Sequence, residues 1–379
     1  MTSLALGMPS PPAFSERIWR INWGMVLVLT AIAGIGVVAL YSAAGGRYEP
    51  WAAKHAIRYG AALGVLLIVA LIHPRVWLAL AWPIYIGAML LLIAVDVIGK
   101  TGMGAQRWLM LGPMQIQPSE IAKVAVILVL ARYYHGLTRE QAARFLYTLP
   151  PLLVILAPVA LVMVQPDLGT AMMVLLGGAT MLFVAGVRLW MFLAAIVGAV
   201  GCMPFAWSFM HEYQRKRVLT FLDPDRDPLG AGYHITQSKI AIGSGGLFGK
   251  GFLQGTQASL NFLPEKQTDF IFTTFVEEWG LAGGLALLAL FALVLVWGFS
   301  IALRSQHHFG RMLALGVCAM LFLYVFINVG MVTGLLPVVG VPLPLVSNGG
   351  TAMIVVMFAC GLLIGVNVYR DAQLPRATH

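Results

Sequence analysis

The sequence predicts an all-α membrane protein that crosses the bilayer about ten times. Of its 379 residues, 60% are hydrophobic and only 10% are charged. A soluble globular domain carries about 25% charged residues, so this composition indicates a membrane protein. The apolar stretches agree, because they recur along the chain at lengths near the roughly 20 residues that a transmembrane helix needs.

Ten apolar stretches of suitable length follow one another along the chain. Pro or Gly interrupts some of them, which blurs where each helix begins and ends. An even number of spans places both termini on the same side of the membrane. The predicted spans are 23–43, 58–73, 77–98, 119–135, 147–164, 169–186, 189–210, 270–298, 312–333 and 349–368.

The loops between the spans predict the orientation. Residues 1–22 are polar and lack the short apolar core and cleavage site of a signal peptide, so we expect a cytoplasmic tail. Loops on that side hold roughly twice as many Lys and Arg residues as the short loops opposite, which predicts cytoplasmic N- and C-termini. Residues 23–368 then form one membrane domain, with 369–379 as a cytoplasmic tail and 211–267 as a large extracytoplasmic loop.

The composition argues against several other classes of protein. The formal charge is +9, but the basic residues lie in short loops between spans, so topology explains them better than nucleic-acid binding. Cys202, Cys318 and Cys360 lie in apolar stretches without paired spacing, which argues against a disulfide framework or a zinc site. The histidines are scattered and show no metal-ligand spacing.

The first candidate functional segment is 261–280, NFLPEKQTDFIFTTFVEEWG, where Asp269 joins a polar loop to an apolar helix. An ionisable residue at or inside a membrane span is costly, which makes it a functional candidate. The structural alternative is a helix start in which Thr268 caps the first turn and Asp269 complements the helix dipole. Farther along, Glu277 and Glu278 could relay protons or could be buried acids hydrogen-bonded to a neighbouring helix.

A second group of ionisable residues lies where the fourth span begins, in GAQRWLMLGPMQIQPSEIAKV, residues 104–124. Glu120 and Lys123 are three residues apart and so share one helical face. They either neutralise each other as a partly buried ion pair or contact a substrate. Arg107, next to a tryptophan, is either a substrate ligand or an interfacial anchor.

The long predicted loop contributes further cations. Arg215 and Arg217 belong to a basic cluster directly after the seventh span, and Lys239 lies farther along. The glycine-rich stretch 243–251, GSGGLFGKG, does not fit a P-loop, because the residues that the motif requires on either side of its Gly-Lys are missing. Most of this loop could simply lie along the membrane surface.

Segment 334–351, GLLPVVGVPLPLVSNGGT, contains too many Pro and Gly residues for a continuous helix. Irregular apolar backbone at membrane depth is tolerated only where it is buried in protein or lines a cavity. We therefore expect it to form a cavity wall, with a re-entrant path as one form. Asp167, in a short turn on the same predicted side, fits best as the cap of the sixth span.

Ionisable residues thus gather at the outer ends of the spans, around a cavity expected to open to the outer leaflet. Cations suit phosphate or diphosphate groups, and a carboxylate beside them can act as a general base. A lipid-linked diphosphate substrate would need both kinds of group, together with a groove for its tail. The ionisable residues are Arg107, Glu120, Lys123, Arg215, Arg217, Lys239, Lys266 and Asp269.

Motifs along nearly the whole chain beyond the N-terminal tail resemble the SEDS (shape, elongation, division and sporulation) family. They are QPSEIAKV, YQRKRV, DPLGAGYH, QSKIAIGSGG, LPEKQTDFIF, EEWG and GLLPVVGVPLPLVSNGG. The stretch PVVGVPLPLVS resembles the elongation branch of the family more than its division branch. The resemblance implies a ten-span peptidoglycan glycosyltransferase that polymerises lipid II on the outer face of the bacterial inner membrane. It also implies a class B penicillin-binding protein as the transpeptidase partner.

The resemblance also assigns residues. Asp269 matches the family's catalytic aspartate, and Glu120 and Lys123 match its essential Glu and Lys. Two positions depart from the pattern: Gln267 stands where His is common, and Asn348 stands where Tyr is common. The first departure removes a titratable neighbour of Asp269, and the second changes the contacts of the expected cavity wall.

The resemblance implies a donor whose sugar is α-linked to undecaprenyl diphosphate and a β-1,4 product, so the configuration at the anomeric carbon is inverted. The implied substrates are lipid II and the nascent glycan-diphosphate-undecaprenol. Asp269 is then the general base for the acceptor 4-hydroxyl. Glu120 positions either Lys123 or a divalent cation such as Mg²⁺ or Mn²⁺, although the sequence shows no dedicated metal cage. The expected diphosphate and substrate ligands are Arg107, Glu120, Lys123, Asp167, Arg215, Arg217, Lys239 and Lys266.

Two other functions fit the same pattern. A lipid flippase would use the same spans and cationic cavity. A scaffold that recruits wall enzymes would need neither Asp269 nor Lys123, and the clustering of ionisable residues at one side counts against it.

Overall fold

The computed structural model describes residues 13–102, 105–111, 114–209, 215, 219, 231–260, 262–263 and 265–374. Its elements are α1 (Phe14–Trp19), α2 (Trp23–Ala43), α3 (Ala52–Leu71), α4 (Pro74–Ile98), β1 (Lys100–Gly102), β2 (Ala105–Leu111), β3 (Met114–Ile116), α5 (Pro118–His135), α6 (Arg139–Ala142), a 3-10 helix (Phe145–Thr148), α7 (Leu149–Val164), α8 (Leu168–Ala185), α9 (Leu189–Phe209), α10 (Ala231–Ser244), α11 (Thr256–Ser259), α12 (Ile271–Arg304), α13 (His308–Val332) and α14 (Gly350–Val368).

Every predicted span corresponds to a long helix, in the order α2 to α5, α7 to α9 and α12 to α14. Within the described residues, 8 helical segments are long and apolar enough to cross a membrane. Of the other two spans, α9 contributes a shorter apolar helix over Leu189–Phe205, and α5 carries three residues of the Asp, Glu, Lys and Arg types, Glu120, Lys123 and Arg132. The predicted class, an all-α multi-pass membrane protein, is confirmed.

The structure contains secondary-structure elements within segments that were predicted to be loops. Between α4 and α5, strands β1, β2 and β3 form a small antiparallel sheet, with Lys100 opposite Trp108 and Leu109 opposite Ile116. Two of these strands have only 3 residues, too few for alternation to stand out in a sequence. Helix α10 likewise lies inside the loop predicted for 211–267.

Residues 334–349 connect α13 to α14 without forming a helix, as predicted. Several of their apolar side chains are buried, although the backbone is irregular. Neighbouring helices satisfy this backbone: the Asn328 amide of α13 donates to the Val341 carbonyl (2.7 Å), and a His55 ring nitrogen of α3 bonds the Leu345 carbonyl (2.9 Å). The segment is therefore buried in protein, the setting in which such backbone is tolerated at membrane depth.

Helix α12 is interrupted at Gly280, whose backbone has φ 69° and ψ −173°. An interruption deprives nearby carbonyls of their helical partners. Here the Lys250 N–H donates to the Glu277 carbonyl and the Gly251 N–H donates to the Glu278 carbonyl, both at 3.0 Å. A loop before α12 therefore supplies the missing donors.

The same loop supplies acceptors beyond the break. The Leu281 N–H donates to the Gly246 carbonyl (2.9 Å), and the Ala282 N–H donates to the Leu247 carbonyl (3.0 Å). We call residues 245–257 the strap, because their hydrogen bonds bridge the two parts of α12. The strap lies so close that a methyl group built at Gly249 would be 2.0 Å from the Glu278 carbonyl oxygen.

We expect Gly280→Ala to lower the thermal stability of the protein measurably. The left-handed backbone costs a non-glycine residue about 1–3 kcal/mol, and the added methyl group would lie 2.3 Å from the Gly249 nitrogen. Gly64→Ala in α3 is the matched control, because its methyl group would meet nothing within 4 Å. Thermal unfolding in detergent gives the Tm of each variant, and equal Tm values for the two variants would contradict the expectation.

Candidate active site

Three side chains from α5 and α13 form a closed, buried network. The Lys123 ammonium lies 2.6 Å from Glu120 Oε1, and both side chains are 3% exposed. The Tyr324 hydroxyl donates to Glu120 Oε2 and accepts from Lys123. The ion pair predicted from the spacing is therefore present, and Tyr324 is its third member.

This network joins three helices. Its members lie on α5 and α13, and the Lys123 ammonium also contacts Met173 Sδ of α8 at 3.8 Å. Buried charges destabilise a protein unless they are paired and hydrogen-bonded, and both requirements are met here. Because both Glu120 oxygens are bonded to Lys123 and Tyr324, the geometry favours the predicted role of Glu120 in positioning Lys123.

Asp167 caps α8, as the sequence predicted. Its carboxylate accepts from the Thr170 N–H (3.2 Å) and the Thr170 hydroxyl (2.9 Å). The Gln117 amide donates to the same carboxylate from the start of α5 (3.2 Å), and an Arg107 nitrogen lies 3.9 Å away. Asp167 therefore fastens α5 and the sheet to the start of α8 in addition to capping it.

Arg107 lies on β2 and reaches the turn before α8. Its Nε donates to the Gln165 carbonyl (3.3 Å), and its Nη2 donates to the Pro166 carbonyl. The side chain remains 23% exposed. Arg107 is therefore held in place by backbone oxygens while part of its guanidinium remains accessible.

Asp269 lies in the turn directly before α12 and is partly exposed. Its carbonyl accepts from the Asn328 amide of α13 (3.0 Å), and a methyl group built at Gly340 would lie 3.3 Å from Asp269 Oδ2. The predicted Thr268 cap is wrong: no side chain caps α12, and the Thr268 hydroxyl instead donates to the Glu265 carboxylate (2.9 Å). Asp269 therefore lies where α12, α13 and the 334–349 segment meet.

The two departures from the family pattern are neighbours in space. The Asn348 N–H donates to the Gln267 carbonyl (2.9 Å), and the Asn348 side-chain oxygen accepts from Arg58 of α3 (3.0 Å). Next to them, the Ser347 hydroxyl donates to the Thr268 carbonyl (2.7 Å). The turn that carries Asp269 is thus attached directly to the irregular segment.

A cavity of about 430 Å³ adjoins the same turn. Lys266 contributes to its lining, and burial lowers the pKa of this lysine from its usual value. Glu278, buried at the cavity, accepts a hydrogen bond from the Ser42 hydroxyl. The lining residues are Ser42, Ala43, Ala44, Gly45, Arg47, Pro50, Trp51, Leu253, Gly255, Lys266 and Glu278.

The structure places the remaining predicted cations elsewhere. Lys239 is an exposed residue of α10, where its side chain passes close to Gly334. Arg215 donates to the carbonyls of Trp207 (2.9 Å) and Ser208 (2.8 Å) near the end of α9. Arg217 lies outside the described residues.

The described residues contain no group of three or more His, Cys, Asp or Glu side chains placed to hold a metal ion. Mg²⁺ is commonly held by one or two carboxylates, waters and substrate phosphates, without a dedicated protein cage.

Comparison with known proteins identifies the family. The FtsW/RodA/SpoVE family model, described as cell cycle protein, matches residues 22–372. Peptidoglycan glycosyltransferase MrdB of Escherichia coli strain K12 is 46% identical over 367 residues, covering 96% of this chain and 97% of that protein. The probable peptidoglycan glycosyltransferase FtsW of Geobacter metallireducens is 36% identical over 368 residues, covering 93% and 96%.

Solved structures share the fold. A chain from a study of how a peptidoglycan synthase complex coordinates polymerization and crosslinking has a TM-score of 0.78 and 37% identity, covering 92% of this chain and 98% of that one. Rod shape determining protein RodA of Thermus thermophilus has a TM-score of 0.70 and 30% identity, covering 93% and 98%. The chain therefore belongs to the FtsW/RodA/SpoVE family, as its motifs predicted.

Proposed function

We propose that this chain is a peptidoglycan glycosyltransferase that polymerises lipid II into β-1,4-linked glycan strands during cell elongation. The placement of Asp269 carries the proposal. Asp269 is partly exposed, in a turn attached to both α13 and the 334–349 segment, and Lys266 of the same turn lines the cavity. The names of the relatives at 46% and 36% identity support the same activity.

In the proposed reaction, Asp269 removes the proton from the acceptor sugar's 4-hydroxyl as that oxygen attacks the donor's anomeric carbon. A C–O bond forms there, and the bond from the anomeric carbon to the diphosphate oxygen breaks. The electron pair leaves with undecaprenyl diphosphate, and attack from the opposite face inverts the anomeric configuration.

The departing diphosphate needs cations that it can reach. Lys123 is bonded to Glu120 and Tyr324 inside the protein, so we assign it to holding the site together. Arg107, Arg47 and Lys266 are more accessible, and we assign them to the diphosphate. Arg215, Arg217 and Lys239 remain predicted ligands of the substrate, and Asp167 acts through Arg107.

The chain is an integral membrane protein, and we propose that it lies in the bacterial inner membrane with cytoplasmic termini and Asp269 facing outward. Residues 23–368 then form the membrane domain, with 211–267 as its extracytoplasmic loop. The proposed partner is a class B penicillin-binding protein, which would cross-link the new strand. The peptidoglycan synthase complex whose chain shares this fold supports that pairing.

The test is polymerisation of lipid II by the purified full chain, alone and with its class B partner. We expect glycan strands that a muramidase digests, because this enzyme cleaves β-1,4-linked peptidoglycan. Absence of polymer from both samples, together with lipid II crossing the bilayer of reconstituted vesicles, would overturn the proposal in favour of a flippase. Absence of both activities would favour a scaffold.

A further inference from the structure

Glu277 of α12 is a fully buried carboxylate, 0% exposed, that binds the strap. Its Oε1 accepts from the Lys250 ammonium (2.7 Å) and from the Gln257 N–H (3.1 Å). It also accepts from the Thr256 N–H (2.9 Å) and hydroxyl (3.0 Å). One carboxylate oxygen thus holds three residues of the strap.

These contacts complete a double attachment. The backbone hydrogen bonds at the α12 break hold residues 246–251, whereas the Glu277 side chain holds Lys250 at one end and Thr256 and Gln257 at the other. The Lys250 side chain is 25% exposed, so its charge is partly withdrawn from water and depends on Glu277 for compensation. The strap between these points is short, so its backbone can move little.

The part of the strap between the two attachments faces the cavity that Lys266 lines. Leu253 and Gly255 line that cavity together with Lys266 and Glu278. A methyl group built at Gly255 would lie 3.2 Å from Glu277 Oε2, so the strap backbone packs directly on the carboxylate. The Glu278 carboxylate also accepts from the backbone of Leu253 and Gly255, so the position of this cavity wall depends on the contacts of both carboxylates.

We propose that Glu277 is a positioning residue that, through Lys250 and Thr256, holds the strap in place as one wall of the substrate cavity. This inference rests on the proposed function, because it assumes that substrate occupies the cavity. The ion pair with Lys250 favours a structural role over proton relay. Glu277 also bonds Thr256 and Gln257 of α11, which fits the predicted alternative of a buried acid hydrogen-bonded to a neighbouring helix.

Trypsin cleavage can report on the attachment of the strap, because trypsin cleaves after lysine and Lys250 lies within the strap. Glu277→Gln keeps the shape of the side chain but removes the charge that binds Lys250. We expect cleavage after Lys250 in the full chain in detergent to become at least about tenfold faster, since the open fraction of the strap rises. Gln254→Ala is the control: Gln254 is exposed in the same strap, outside the set of residues that bond Glu277, and its cleavage should match the wild type.

Kinetics separate positioning from simple destabilisation. If the strap is in place only about a tenth of the time, the apparent KM for lipid II rises about tenfold, while kcat stays within about threefold because the reacting groups are unchanged. A purely structural role would instead lower Tm and the active fraction and leave KM unchanged. Lys250→Met should reproduce the KM increase, and Lys250→Arg, which keeps the charge, should largely restore it.

The cleavage measurement and the kinetic measurement can each fail without the other. Cleavage needs no lipid II, so it still tests the strap's attachment if the chain makes no polymer. Unchanged cleavage in Glu277→Gln overturns the inference, as does faster cleavage with an unchanged KM. If Glu277→Gln does not fold, Thr256→Val removes one hydroxyl contact to Glu277 and is judged by the same two measurements.

Discussion

Asp269→Asn is expected to stop lipid II polymerisation while the protein still folds. The amide has nearly the same shape as the carboxylate but cannot accept the acceptor's proton, and loss of a general base costs about 10²- to 10⁴-fold in rate. The fold should persist, because the hydrogen bond from Asn328 ends on the backbone carbonyl of Asp269, which the substitution leaves in place. kcat for glycan synthesis, measured at saturating lipid II, tests this expectation.

Glu265→Gln is the matched control for that experiment. It changes a partly exposed carboxylate in the same turn, one that accepts from the Thr268 hydroxyl at 2.9 Å. We expect it to retain kcat within about tenfold of the wild type, because the proposed proton transfer uses Asp269 alone. Near-normal turnover by Asp269→Asn would contradict the assignment of Asp269 as the general base.

Lys123→Met is expected to give the largest loss of stability among single substitutions at the site. It would leave the buried Glu120 carboxylate with Tyr324 but without its cation. Removing one partner of a buried ion pair costs about 3–5 kcal/mol, whereas replacing both partners is often nearly neutral. The double variant Glu120→Gln with Lys123→Met should therefore recover most of the lost stability.

Unfolding in mixed detergent micelles measures these differences. Glu16→Gln supplies the control, because the Glu16–Arg20 pair is exposed and such pairs contribute about 0–1 kcal/mol. Equal stability of Lys123→Met and Glu16→Gln would contradict the buried network. A stable but inactive double variant would assign Lys123 a direct role toward the diphosphate in addition to its structural one.

Much of this architecture could be predicted because membrane spans and their exceptions are visible in the sequence. Apolar length located the helices, and the cost of charges at membrane depth singled out Glu120, Lys123 and Asp269. The irregular course of 334–349 followed from its Pro and Gly residues. In each case a local pattern carried the information.

Residues that act through long-range contacts could not be found that way. Tyr324 is one tyrosine in an apolar helix, and only the packing of α13 against α5 brings it to Glu120. Arg58 contacts Asn348 across 290 positions. Glu277 and Glu278 are adjacent in sequence, yet Glu277 pairs with Lys250 whereas Glu278 bonds Ser42 of α2. Both carboxylates also accept from the strap's backbone.

The break in α12 also divides the helix into two parts whose backbone hydrogen bonds should open through different local unfolding events. The amide hydrogens of Leu281 and Ala282 are held by carbonyls of the strap, so their exchange with deuterium should follow detachment of the strap rather than unwinding of the helix. Cooperative units of this kind open independently of the surrounding core. Residues 271–279 and the strap would then form one such unit, separate from the long part of α12 that follows Gly280.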